Sequence, residues 1–148
     1  MAAIKYMEEA LKQARKSFKE GEVPVGAVIV YRDKIIAFGR NRREKKQNAL
    51  LHAEVEAINR ACKKLHSWRL EQCELYVTLE PCPMCAGAII NSRIKKVIFG
   101  AYDEKGGAAG SRINLFEQGF NHKPEIVSGV MQEQCSRILQ DFFKELRH

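Results

Sequence analysis

One histidine, two cysteines and a carboxylate left over set the chemistry of this chain. His52-Ala53-Glu54 is followed downstream by Pro81-Cys82-Pro83-Met84-Cys85. An imidazole and two thiolates are zinc ligands, and three protein ligands leave a four-coordinate zinc with an open position. An open position means catalysis rather than scaffolding. Glu54, which is not needed as a ligand, is then the natural proton carrier for whatever binds there. The competing reading is a structural zinc knuckle, which needs a fourth protein ligand from Cys62 or Cys73. That reading leaves the His-x-Glu pairing and the flanking prolines unexplained.

The spacing constrains the elements that carry these residues. Cys82 and Cys85 are three apart at the start of a predicted helix through about Asn91, so both sulfurs share a face. The helix N-terminus favours thiolate over thiol, and Pro83 suits the first turn, where N–H groups lack intrahelical partners. His52 and Glu54 would point ~200° apart within a helix. They can serve one site only if their helix meets it end-on, which agrees with a helix capped by Asn48 and running to about Lys64. Two helix N-termini should therefore converge on the metal, at the carboxyl edge of a sheet.

The remaining elements follow from periodicity. Ile4, Met7, Leu11, Ala14 and Phe18 fall on one helical stripe, ended by Gly21. Val25–Val30 and Ile35–Phe38 flank the polar turn Tyr31-Arg32-Asp33-Lys34 and read as a hairpin. Leu75–Thr78 and Lys96–Gly100 are core strands, Ile126-Val127 is an edge strand, and Met131–Leu146 is an amphipathic helix. Gly106–Ser111 reads as a loop too small and flexible for the core. Strands alternating with helices indicate an α/β layer architecture, and 148 residues without repeat or linker read as one domain, 1–148.

Composition is that of a globular protein, 45% hydrophobic and 29% charged. No apolar run approaches the ~20 residues of a membrane span. The N-terminus has no apolar signal core, so the expected location is cytoplasmic. Five cysteines are an odd number for a disulfide framework; Cys62, Cys73 and Cys135 read as buried free thiols. The net charge of +7 favours a polyanionic partner. Arg40, Arg42, Arg43, Lys45 and Lys46 cluster just before His52 and become phosphate contacts if their loop borders the metal.

The H-x-E…P-C-x-x-C pattern is the signature of zinc-dependent base deaminases. The match extends to Val23–Val28, Asn41, Leu75–Gly87, Phe99–Ala101, Gly107–Ser111 and Asn121-His122. On these residues the chain resembles the bacterial tRNA-specific adenosine deaminases, from about Tyr6 to Phe143. The resemblance implies a three-layer α/β/α cytidine deaminase-like fold with a five-stranded mixed sheet, one Zn2+ per subunit held by His52, Cys82 and Cys85, and Glu54 as the catalytic acid and base. It implies a homodimer, with Met84, Ala88 and Ile89 as interface candidates. It implies conversion of adenosine to inosine in a tRNA anticodon stem-loop, with an arginine-type tRNA as target. By the same resemblance Val25 packs on the base, the Ala53 and Cys82 backbones line the base pocket, Asn41 contacts the base or its ribose, and Asp103 and Asn121 contact the anticodon loop.

The chain departs from the family before the histidine, where Asn48-Ala49-Leu50-Leu51 stands for Asp-Pro-Thr-Ala. Two other functions compete: deamination of a free base or nucleoside such as guanine, cytosine or cytidine, and zinc-stabilised RNA binding without catalysis. The basic loop and the Gly107–Ser111 segment favour RNA over the first, and intact Glu54 argues against the second.

Overall fold

A computed structural model describes residues 2–146. In chain order the elements are α1 (Ala2–Lys19), β1 (Gly26–Tyr31), β2 (Lys34–Arg40), α2 (Arg43–Lys46), α3 (Ala53–Leu65), β3 (Cys73–Leu79), α4 (Pro83–Ser92), β4 (Lys96–Ala101), a 3-10 turn (Leu115–Glu117), β5 (Glu125–Val127) and α5 (Gln132–Leu146). Arg32 and Asp33, both with positive φ, make the tight turn that joins β1 to β2. The five strands form one sheet in the order β2-β1-β3-β4-β5. β1 runs antiparallel to both its neighbours, while β3, β4 and β5 are parallel, so the sheet is mixed as expected.

Both faces of the sheet are covered. Alternate residues of β1 sort to opposite layers, as the two-residue period of a strand requires. Val28 and Val30 pack with Tyr6, Met7, Ala10 and Leu11 of α1 and Cys135 of α5. Ala27 and Ile29 pack with Ala53, Ala57 and Ala61 of α3 and Ile89 and Ile90 of α4. Small residues on α3 let it lie close to β2. A Cβ on Gly39 would stand 2.7 Å from the Ala57 nitrogen, so only glycine lets α3 approach this closely.

The antiparallel β1 decides where the chemistry sits. Gly26, its first residue, pairs with Arg40, the last of β2, and Leu79 at the end of β3 pairs with Ala101 at the end of β4. The segments leaving β2, β3 and β4 therefore meet the segment entering β1 at one edge.

Candidate active site

The start of α3 differs from the expected position. The helix begins at Ala53, and His52 is its N-cap with an extended backbone (φ −81°, ψ 157°). Asn48 instead accepts the Leu50 N–H at 2.9 Å, and the Leu51 N–H bonds the Asn48 carbonyl. This local turn competes with helix formation, as asparagine side chains commonly do. The correction removes the angular conflict between His52 and Glu54, because the histidine lies outside the helix and Glu54 in its first turn. Cys82 is the N-cap of α4, with Pro83 opening the helix and Cys85 in its first turn. Both helices thus point their N-termini at one place, at the carboxyl edge of the parallel strands.

His52 Nδ1 lies 3.5 Å from Cys82 Sγ and 3.6 Å from Cys85 Sγ. The three ligand atoms lie within 4.8 Å of one another, and among the described residues this is a group able to hold a metal ion. Zn–S of ~2.3 Å and Zn–N of ~2.0–2.1 Å at the tetrahedral angle place N and S about 3.5 Å apart. The observed spacings are those of a tetrahedral edge, so the residues fit the ion.

The same proximity perturbs the titrating groups. The Cys82 thiol is pulled down to about 4, chiefly by a hydrogen bond from Cys85 and then by His52. Cys85 is pushed far up, first by its bond with Cys82 and then by burial. His52 is raised, mainly by its contact with Cys82. Glu54, only 4% exposed, is raised to about 7, with burial as the leading cause.

A cavity of about 160 Å³ opens beside this group. Val25, Asn41, Ala53, Glu54 and Asp103 line it, together with Val23, Arg43, His52, Leu79, Glu80 and Cys82. Asn41 is fixed there by its own amide, which donates to the Val23 carbonyl at 3.1 Å and accepts from the Arg43 N–H at 3.1 Å. Asn121 is not brought to this cavity. It is exposed on the segment before β5, beside His122, whose Nε2 meets the Ile94 carbonyl at 2.6 Å at the opposite end of β4. Of the interface candidates, Ile89 is fully buried in the core, while Met84 and Ala88 keep partial exposure.

The 106–111 segment differs from its expected character. Ala108 is fully buried in the core, and the loop wraps around the carboxylate of Glu80. Glu80 accepts the N–H groups of Asp103 at 3.1 Å and of Ala109 and Ser111 at 3.0 Å each, and also the Ser111 hydroxyl. A Cβ on Gly107 would run into that carboxylate and stand 2.5 Å from the Asp103 carbonyl. Its small residues serve close packing, not mobility. Sequence reasoning passed over Glu80 because all these partners lie more than twenty positions downstream; an acid directly after a mostly buried strand was the local signal.

A family model described as MafB19-like deaminase matches residues 1–147, and the chain belongs to that family. Within it, the chain is similar to the tRNA-specific adenosine deaminase of Bacillus subtilis (strain 168), at 55% identity over 96% of this chain and 89% of the relative. It is 49% identical to the tRNA-specific adenosine deaminase of Rickettsia typhi, over 95% of this chain and 97% of the relative. A solved structure from studies of A-to-I editing by tRNA:A34 deaminases at the wobble position of transfer RNA superposes with a TM-score of 0.89. It is 42% identical, over 90% of this chain and 98% of the other.

Proposed function

We propose that this chain is a zinc-dependent deaminase that converts adenosine to inosine at the wobble position of a tRNA anticodon, releasing ammonia. The observation that carries the reading is the His52, Cys82 and Cys85 triangle with buried Glu54 beside it in one cavity. The names of the relatives supply the substrate.

His52 Nδ1 and the sulfurs of Cys82 and Cys85 would hold the ion. Zinc bound there supplies an activated water at neutral pH. The chain's own residues do the rest. Val25, the Ala53 backbone and Asn41 hold the extruded base, whose cavity excludes bulk water. Glu54 takes a proton from water onto a carboxylate oxygen and passes it to a ring nitrogen of the base. As the water oxygen bonds to the carbon bearing the exocyclic amine, that carbon becomes tetrahedral; Glu54 then takes the remaining proton of that oxygen and delivers it to the amine, the C–N bond breaks, the carbonyl forms and ammonia leaves. Burial raises the Glu54 carboxyl above its ordinary value, which suits a group that must both accept and donate a proton.

A second cavity favours a polynucleotide over a free base. Val23, Leu79 and Asp103 are shared between the base pocket and a trough of about 910 Å³ lined by Tyr102, Lys105, Phe143 and Lys144. Exposed aromatic rings beside lysines suit splayed single-stranded nucleotides. Asp103 stands where the two spaces join. We also read residues 1–148 as one deaminase domain that works in the cytoplasm as a homodimer, with Met84 and Ala88 in the interface. No described helix is long and apolar enough to cross a membrane.

The test incubates the zinc-loaded protein with an anticodon stem-loop RNA and, separately, with guanine, cytosine and cytidine, and measures inosine and ammonia. Inosine in the RNA alone is expected. Glu54→Ala should keep stoichiometric zinc and lose turnover; loss of zinc would mean that Glu54 is a ligand and the mechanism fails.

A further inference from the structure

The basic stretch from Arg40 to Lys46 contains five cations, and three of them already have an acid of the fold as a partner. Glu20 binds Arg40 Nε at 3.0 Å and Lys45 Nζ at 2.7 Å. Glu56 accepts from Arg42 Nη2 at 3.2 Å and also pairs with Arg60. These three side chains are held by acids of the same molecule, so they add little to the attraction of an incoming anion. Lys46 lies at the far end of α2, away from the residues that line the base pocket.

Arg43 differs. It is the single arginine or lysine among the residues that line the base pocket. Its side chain is 51% exposed, and its acidic contact among the described residues is the neighbouring Glu44, at 3.8 Å and itself well exposed. Its placement is nevertheless fixed. The Arg43 N–H is held by Asn41 Oδ1, and the two following N–H groups, of Glu44 and Lys45, are held by the Glu22 carboxylate at 3.1 and 2.6 Å. Glu22 is 1% exposed, and these backbone groups are its hydrogen-bond partners. An acid buried before β1 therefore fixes the first turn of α2, and with it the backbone of Arg43, whose guanidinium has only a distant, exposed acid as its partner.

Resting on the proposed deamination of a base within RNA, we propose that Arg43 binds the phosphate of the nucleotide undergoing deamination, and that Glu22 is the positioning residue that sets the height of Arg43 over the pocket. A base inserted toward Glu54 leaves its ribose and phosphate at the mouth, where Arg43 stands. A guanidinium suits that role, because its planar fork matches two phosphate oxygens.

The experiment measures kcat and KM for inosine formation on an anticodon stem-loop RNA over a series of KCl concentrations, using zinc-loaded wild type and variants. Arg43→Ala should raise KM about tenfold, the scale of one lost charge-assisted hydrogen bond, and leave kcat within about twofold. It should also flatten the slope of log KM against log salt by about 0.7, the share of one phosphate contact on a single strand. Arg43→Lys should restore the slope and only part of the KM. Glu22→Gln, whose amide cannot accept both N–H groups, should raise KM in the same direction with the salt slope partly flattened. Lys45→Ala, which removes a cation already paired with Glu20, should keep the wild-type slope. The surface variant Arg43→Ala keeps the test decisive if Glu22→Gln folds poorly. Wild type that makes inosine while Arg43→Ala keeps the wild-type KM and slope overturns this inference alone, as does a slope lost only in Lys46→Ala. A wild type that makes no inosine overturns the functional reading on which it rests.

Discussion

Replacing Glu80 with glutamine separates a structural acid from an incidental one. Oε1 of Glu80 accepts the Asp103 N–H and the Ser111 hydroxyl, and Oε2 accepts the N–H groups of Ala109 and Ser111. An amide nitrogen at the Oε2 position would face two fixed N–H donors. At the Oε1 position it faces one fixed donor and a hydroxyl that can rotate to accept. The substituted side chain should therefore choose the second arrangement and lose the bond to Asp103. One buried hydrogen bond to a charged acceptor is worth about 1.5–3 kcal/mol. In a chain of this length that lowers Tm by roughly 3–12 °C. The freed Asp103 backbone borders both the base pocket and the trough, so kcat/KM on the stem-loop should fall about tenfold, given that misplacement near 1 Å can cost on the order of 10²-fold. Glu80→Ala should be worse, because it removes the acceptor of all three N–H groups at once. Differential scanning calorimetry and steady-state kinetics on the zinc-loaded variants check both numbers. A Glu80→Gln protein with wild-type Tm and wild-type kcat/KM would refute the claim that this carboxylate holds the wall of the pocket.

Gly39→Ala should lower stability by about 1–3 kcal/mol, because its Cβ would press on the Ala57 nitrogen at 2.7 Å, and the displacement of α3 should carry Glu54 with it and reduce kcat; denaturant melts and single-turnover rates measure the two effects. Glu20, whose hydrogen bonds to Arg40 and then Lys45 hold it at about 2 against an ordinary 4.5, stabilises the fold fully above about pH 4.5 and loses that contribution as pH falls toward 2. Glu20→Gln should therefore lower Tm at neutral pH and converge on wild type near pH 2, and parallel Tm–pH curves for the two proteins would contradict it.

The chemistry was legible because it is local. His-x-Glu and Cys-x-x-Cys each span no more than one turn, and each stands at the start of a helix. The order of strands and helices was legible for the same reason, since apolar alternation and spacing are properties of short windows. What escaped was set by distant partners. Nothing near Asn48 reveals that its side chain will hold Leu50 and delay α3 to Ala53. α2 exists because Glu22, on the other side of the β1–β2 hairpin, caps it. The basic loop reads in sequence as one cluster, yet Glu20 and Glu56 engage three of its side chains. The small residues of Gly106–Ser111 read as a loop too small and flexible for the core until Glu80 supplied what they close around.

The pairing of β1 with β3 joins two stretches of chain that each hold half of a site. Everything up to α3 contributes Asn41, His52 and Glu54, and everything from β3 onward contributes Glu80, Cys82, Cys85 and Asp103. The connection between them, His66–Gln72, carries the well-exposed Trp68 and lies outside every strand and helix. A cut there yields two fragments of which neither has a full ligand set or a closed pocket. Editing would then be a logical AND of the two pieces: neither alone can hold the metal or close the pocket, and inosine would form only where the two meet.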